Sequence, residues 1–303
     1  MNKMWTAFLV AAVTAVTATV TPAAAMADTV TSVVALGADL SDSQKSTVLN
    51  LLEVKPSDLT SANTVTVTNA EEHQYLDGKI ASGYIGTRAL SSCKVTETKS
   101  GSGIKVTTHN INYVTGKMYE NALVTAGMSD ADVIVAAPTS ISGTAALVGA
   151  MKAYAVISGD TVSATEIDTA TDELVTTSQI ASDTGDSDKT TQLVAAVKQV
   201  VAEKNYTSES DITGVIRDVA SQLGITLSDA DVQALADVMQ KVAALNLDPD
   251  KLTEQVRSVY EAAAANGLDL SKYGITNEDV SGFFSKLSSV FRAIIDWIRG
   301  LTS

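Results

Sequence analysis

Hydrophobic and polar positions change their period twice along the 303-residue chain. Residues 6–20 form an uncharged run with no alternation, mixing Ala, Val and Thr around Phe8 and Leu9. From Asp28 to about residue 160, short β-type runs alternate with short helical stripes. Residues 29–36 read as a strand closed by Gly37-Ala38-Asp39. Ser41 with Gln44 three positions later predicts a capping box, and Val48, Leu49 and Leu52 supply the apolar stripe of the helix it starts. Residues 64–68 alternate Thr and Val, as a half-buried strand does, and Asn69 is placed to cap a short helix through Tyr75 and Leu76. Residues 89–98 and 104–111 flank Gly101-Ser102-Gly103, which predicts a hairpin. A helix over 117–125 stops at Gly127, and a strand over 132–137 breaks at Pro138. Ser142-Gly143-Thr144 then opens a helix through Met151 and Tyr154.

Beyond Asp160 the period is helical. Stripes run over 173–181, 192–204, 212–223, 229–245, 252–265 and 279–300. Ser208 with Asp211, Ser228 with Asp231 and Thr276 with Asp279 are cap-like starts, and Gly224, Gly267 and Gly274 punctuate ends. The polar stretch 181–188 predicts a loop or linker. The expected fold is therefore an α+β or α/β N-terminal domain with a mixed sheet, followed by an all-helical C-terminal region. The expected division is a leader over 1–27, a mixed domain over 28–160, a helical domain over 161–280 and an amphipathic helix over 281–303.

The leader follows from its flanks. Lys3 gives a positive start, and Ala25-Met26-Ala27 is a small-x-small exit after the apolar run, which together predict a secretory signal peptide. Export would leave Cys93, the one cysteine, unable to pair within the chain; a buried, inert thiol is expected. The whole chain is 45% hydrophobic and carries a net charge of -14. The apolar fraction excludes a disordered chain, and the acidity argues against a nucleic-acid partner.

Candidate chemistry is sparse. Arg88, in Gly86-Thr87-Arg88-Ala89-Leu90-Ser91-Ser92, could clamp an acidic ligand or pair with an internal carboxylate. Ser142, Gly143 and Thr144 stand at a strand-to-helix junction, where backbone N–H groups and hydroxyls can meet an anion; an ordinary capped helix start is the competing account. No phosphate loop or Gly-x-Ser-x-Gly elbow is present. Glu71, Glu72 and His73 are adjacent, so their side chains diverge on a helix and make no metal face. No catalytic residue, metal ligand or cofactor is expected.

Charge and aromatics are uneven. Lys286, Arg292 and Arg299 against Asp296 leave residues 281–303 at +2, so the stretch 28–280 stands at -17. Every Phe and Trp beyond the leader lies in that tail: Phe283, Phe284, Phe291 and Trp297. Phe284, Phe291 and Trp297 sit on an apolar stripe facing Ser285, Arg292 and Arg299, which suits a membrane surface or a partner groove. Folding back onto the helical domain is the alternative.

Gly37-Ala38-Asp39-Leu40, Asn69-Ala70-Glu71, the Gly86–Ser92 motif, Ala136-Ala137-Pro138 and Ser142-Gly143-Thr144-Ala145-Ala146-Leu147 together resemble the secreted bacterial family called domain of unknown function 1002. The resemblance implies an exported protein of Gram-positive bacteria and supplies no catalytic residues. The expected function is an exported, non-catalytic protein that binds an envelope ligand or protein, with peripheral membrane contact through the tail. The alternative is an envelope hydrolase using Ser142, Thr144 or carboxylates near Glu71.

Overall fold

A computed structural model describes residues 31–159, 163–247 and 252. Five strands, β1 (Ser32–Gly37), β2 (Thr64–Val67), β3 (Ser92–Glu97), β4 (Ile104–Ile111) and β5 (Ala131–Ile141), form a sheet in the order β2-β1-β3-β5-β4. β1 pairs parallel with β2, and β4 parallel with β5, while β3 is antiparallel to both β1 and β5. Hence only β3 runs against the rest. The helices α1 (Asp42–Leu51), α2 (Asn69–Leu76), α3 (Ser82–Ile85) and α4 (Gly116–Thr125) intersperse with the strands. The helices α5 (Thr144–Ser158), α6 (Ala164–Thr184), α7 (Ser187–Lys204), α8 (Glu209–Leu223) and α9 (Asp229–Ala244) follow them. This is the mixed-sheet α+β region and helical continuation read from the periodicity.

The predicted hairpin does not form. Gly101 and Gly103 take positive φ and turn the chain, but β5 inserts between β3 and β4. Val135 pairs with Cys93 on one side and Thr108 on the other. A turn signal reports a local reversal, whereas an interior place goes to a strand such as β5 that buries residues on both faces, and the half-exposed β4 takes the edge. Pro138 likewise fails to end β5. Pairing with β3 stops at Ala136, and the β4 register shifts between His109 and Ile111. Asn110 takes φ 59° in that bulge, and its Nδ2 donates to the Ala137 carbonyl at 2.9 Å. The proline thus falls where the ladder is already interrupted.

Alternation along each strand sorts the two faces. Val33, Ala35, Cys93, Val95, Val133 and Val135 meet apolar residues of α4 and α5, including Met118, Leu123, Leu147 and Met151. Val34, Leu36 and Ala136 point the other way, onto Val48, Leu49 and Leu52 at α1. α6 packs on α4, and a second apolar cluster joins Ile180 of α6 to α7, α8 and α9. The 181–188 stretch is no extended linker: Gly185, with φ 69°, ends α6 and the Asp186 side chain caps α7. The α2 cap falls one residue early. Thr68 accepts from Glu71 N and Glu71 Oε2 accepts from Thr68 N, so Thr68 makes the capping box and Asn69 is the first helical residue.

Candidate functional site

Because β3 alone is reversed, the exits of β4 and β5 and the entry to β3 meet at one end of the sheet. Crevices at the carboxyl ends of strands are where such sheets bind ligands. Here residues 83–88 (the end of α3 and the loop after it), Leu90, Ser91, Asn112, Ile141 and Glu72 enclose, with Ser142 and Thr144, a cleft of about 410 Å³. Small-molecule pockets span about 300–1,000 Å³.

Local contacts hold the walls. Gly37 lets the chain entering β3 cross the end of β1, since a Cβ there would stand 2.3 Å from the Ala89 carbonyl oxygen. Asp39 Oδ2 accepts from Ala89 N at 2.8 Å, and Ser92 Oγ accepts from Gly37 N at 3.0 Å. On the facing wall, Gly143 takes φ 98°, and its carbonyl accepts from the buried Tyr119 hydroxyl at 2.5 Å. No side chain of its own segment caps α5; Ser91 Oγ accepts from Ala146 N at 3.0 Å, so the cap comes from the opposite wall.

Arg88 and the two hydroxyl residues therefore share the cleft, while Gly143 shapes it from behind. Ser142 Oγ donates to the Tyr84 carbonyl at 2.6 Å, and Thr144 Oγ1 donates to Glu72 Oε1 at 2.8 Å. Asn69 Nδ2 donates to the other oxygen, Glu72 Oε2, at 3.2 Å. Glu72 is only 1% exposed, and burial pushes its carboxyl up against the opposing pull of these two hydrogen bonds. Arg88 is exposed, and among the described residues its guanidinium makes no hydrogen bond or ion pair. The exposed Tyr84 ring stacks on Tyr113, with centroids 3.9 Å apart, and gives the cleft an aromatic rim. His73 steadies the loop from outside: Nδ1 faces Asp77 Oδ1 at 2.6 Å and Nε2 faces the Gly86 carbonyl at 3.2 Å. The Asp77 contact holds its imidazole above the usual range.

Glu71 stays apart, with its carboxylate paired to Lys152 Nζ at 2.5 Å. Glu72 is the residue that reading adjacent charges missed. Its signal was its place four residues before Leu76, the other buried side chain of α2. Asn112 and Tyr84 carried no signal of their own, because only the meeting of two loops brings them together. Among the described residues, no cluster of His, Cys, Asp and Glu is placed to hold a metal ion, and no helix is long and apolar enough to cross a membrane. Phe284, Phe291 and Trp297 lie outside the described residues.

A model of the protein family of unknown function DUF1002 matches residues 36–259, which span both the sheet and the helices that follow it. The chain belongs to the DUF1002 family. The uncharacterized protein YpuA of Bacillus subtilis is 40% identical over 259 residues, covering 84% of this chain and 87% of its own. No solved structure matches. The DUF1002 match takes in every residue that lines the cleft, and the tail from 281 onward lies beyond it.

Proposed function

We propose that this chain is an exported, non-catalytic binding protein whose cleft takes a small anionic ligand through Arg88. The observation that carries this reading is a guanidinium on the cleft wall with no partner among the described residues, in a chain whose overall charge of -14 otherwise repels anions. A guanidinium offers a planar fork that fits a carboxylate or phosphate with two parallel hydrogen bonds. Ser142 supports binding over hydrolysis. A nucleophilic hydroxyl needs a base to take its proton, but Ser142 donates to a carbonyl, and both His73 nitrogens face Asp77 and Gly86. Thr144 does donate to a carboxylate, Glu72, so Thr144→Ala is the variant that tests hydrolysis. Residues 1–27 would direct export, and Phe284, Phe291 and Trp297 would bring the protein to a membrane or envelope surface.

Calorimetric titration of the full chain with small carboxylates, phosphates and short peptides tests the proposal, with Arg88→Ala in parallel. Losing a hydrogen bond to a charged group costs about 1.5–3 kcal/mol, so Arg88→Ala should weaken binding by roughly 10- to 100-fold. Binding unchanged by Arg88→Ala overturns the reading. So does turnover of a bound probe that Ser142→Ala or Thr144→Ala abolishes.

A further inference from the structure

Three glutamates among the described residues are fully buried: Glu72, Glu120 and Glu173. Two of them have a lysine. Lys117 Nζ lies 2.6 Å from Glu120 Oε2, and Lys198 Nζ lies 2.8 Å from Glu173 Oε1. Glu72 has no lysine or arginine among the described residues; its hydrogen-bond partners there are the Thr144 hydroxyl and the Asn69 amide, both neutral. The neighbouring His73 acts on Glu72 only through space, because its ring nitrogens face Asp77 and the Gly86 carbonyl, so no cation is bonded to Glu72 among the described residues. Glu72 is also the one of the three that lines the cleft. A buried carboxylate without a counter-ion is costly, and such groups are normally paired. Its two oxygens have about four lone-pair sites, so the two hydrogen bonds leave room for further donors.

We propose that the missing counter-ion comes from the ligand: the cleft takes a small zwitterion, with its ammonium on Glu72 and its carboxylate on Arg88. An amino acid or short peptide has this chemistry, and the Tyr84–Tyr113 stack offers an apolar rim for the part between the charges. The inference rests on the anion-binding role of Arg88 and adds the second charge. It also gives a reason for the Thr144 and Asn69 contacts: they hold the carboxylate in one orientation, facing the cleft. The raised Glu72 pKa is what a carboxylate waiting for its cation would have.

The test compares three probes by calorimetry on the full chain at neutral pH: dialanine, N-acetyl-dialanine and dialanine amide. Dialanine should bind, and acetylation, which removes the ammonium, should weaken binding about tenfold or more. Glu72→Gln should erase the preference for the free amine, while Arg88→Ala should weaken dialanine and its acetyl form alike. Gln keeps an oxygen for Thr144 to donate to, and a thermal melt checks that the variant folds. The probe series on the unaltered chain does not depend on that variant. Acetyl-dialanine binding as well as dialanine overturns the zwitterion inference, while Arg88-dependent binding of either leaves the anion reading standing. Dialanine amide binding as tightly as dialanine overturns the role of Arg88 instead. No saturable binding of dialanine at millimolar concentration also overturns the inference, and acetate or phosphate binding lost in Arg88→Ala then shows that the anion reading survives.

Discussion

Replacing Lys198 by Met should cost more stability than any surface change in this protein. Lys198 and Glu173 are both 0% exposed, at the junction of α4, α6 and α7. The ammonium donates to Glu173 Oε1 at 2.8 Å, to the Asn121 carbonyl at 2.8 Å and to Thr125 Oγ1 at 3.0 Å. Thr125 in turn donates to Glu173 Oε2 at 2.5 Å. All three protons of the cation and both oxygens of the anion are thus engaged. Lys198→Met leaves Glu173 buried without its cation, which costs about 3–5 kcal/mol. At roughly 2–4 °C per kcal/mol for a domain of this size, Tm should fall by about 6–20 °C. The double change Lys198→Met with Glu173→Leu removes both desolvation costs and should recover most of the loss. Burial holds the Lys198 pKa below 10.5, against the upward pull of Glu173. Between that lowered pKa and 10.5 the unfolded chain binds more protons than the folded one, so the lysine's contribution to stability rises with pH there. Glu173→Gln removes the upward pull, so its loss should be large at pH 7 and shrink toward pH 10. Thermal and urea unfolding followed by circular dichroism measures all three variants. A Lys198→Met loss under about 1 kcal/mol, or a double variant less stable than both single ones, would refute this account of the network.

Two other outcomes follow from single groups. Burial pushes the Cys93 thiol up to about 12, so a thiol reagent should label it only as fast as the protein unfolds; rapid labelling of the folded chain contradicts its burial. The Asp77 hydrogen bond raises the His73 pKa above 6.5, so its stabilising contribution is complete below 6.5 and is lost as pH rises through the folded value. The stability gap between the unaltered chain and His73→Ala should therefore narrow from pH 5.5 to pH 8.5, and an imidazole NMR titration at or below 6.5 would contradict it.

What could be read in advance was what neighbours along the chain settle. The Ser41–Gln44 box, the Thr and Val alternation of β2 and the Gly127 stop each depend on residues within four positions, and all three are present. Where the reading failed, a distant partner decided. β5, with Val133 and Val135 buried, sits between β3 and β4, while the alternately exposed β4 takes the sheet edge. Pro138 stays within β5 because a bulge at Asn110 meets it there. Arg88, Ser142 and Thr144 were singled out separately, as an isolated cation and a helix start, and only the sheet order puts them in one cleft.

The sequence by itself determined the succession of elements, the change of period near residue 160 and the family, because propensity, capping and alternation act over a few residues. The tertiary structure decided which glutamate turns inward, which hydroxyl caps α5 and which buried charges are paired among the described residues. Those outcomes depend on contacts such as Thr144 to Glu72 and Ala146 to Ser91, which join residues 72 and 55 positions apart. Burial sets the energy of such contacts, and burial exists only once the layers have packed.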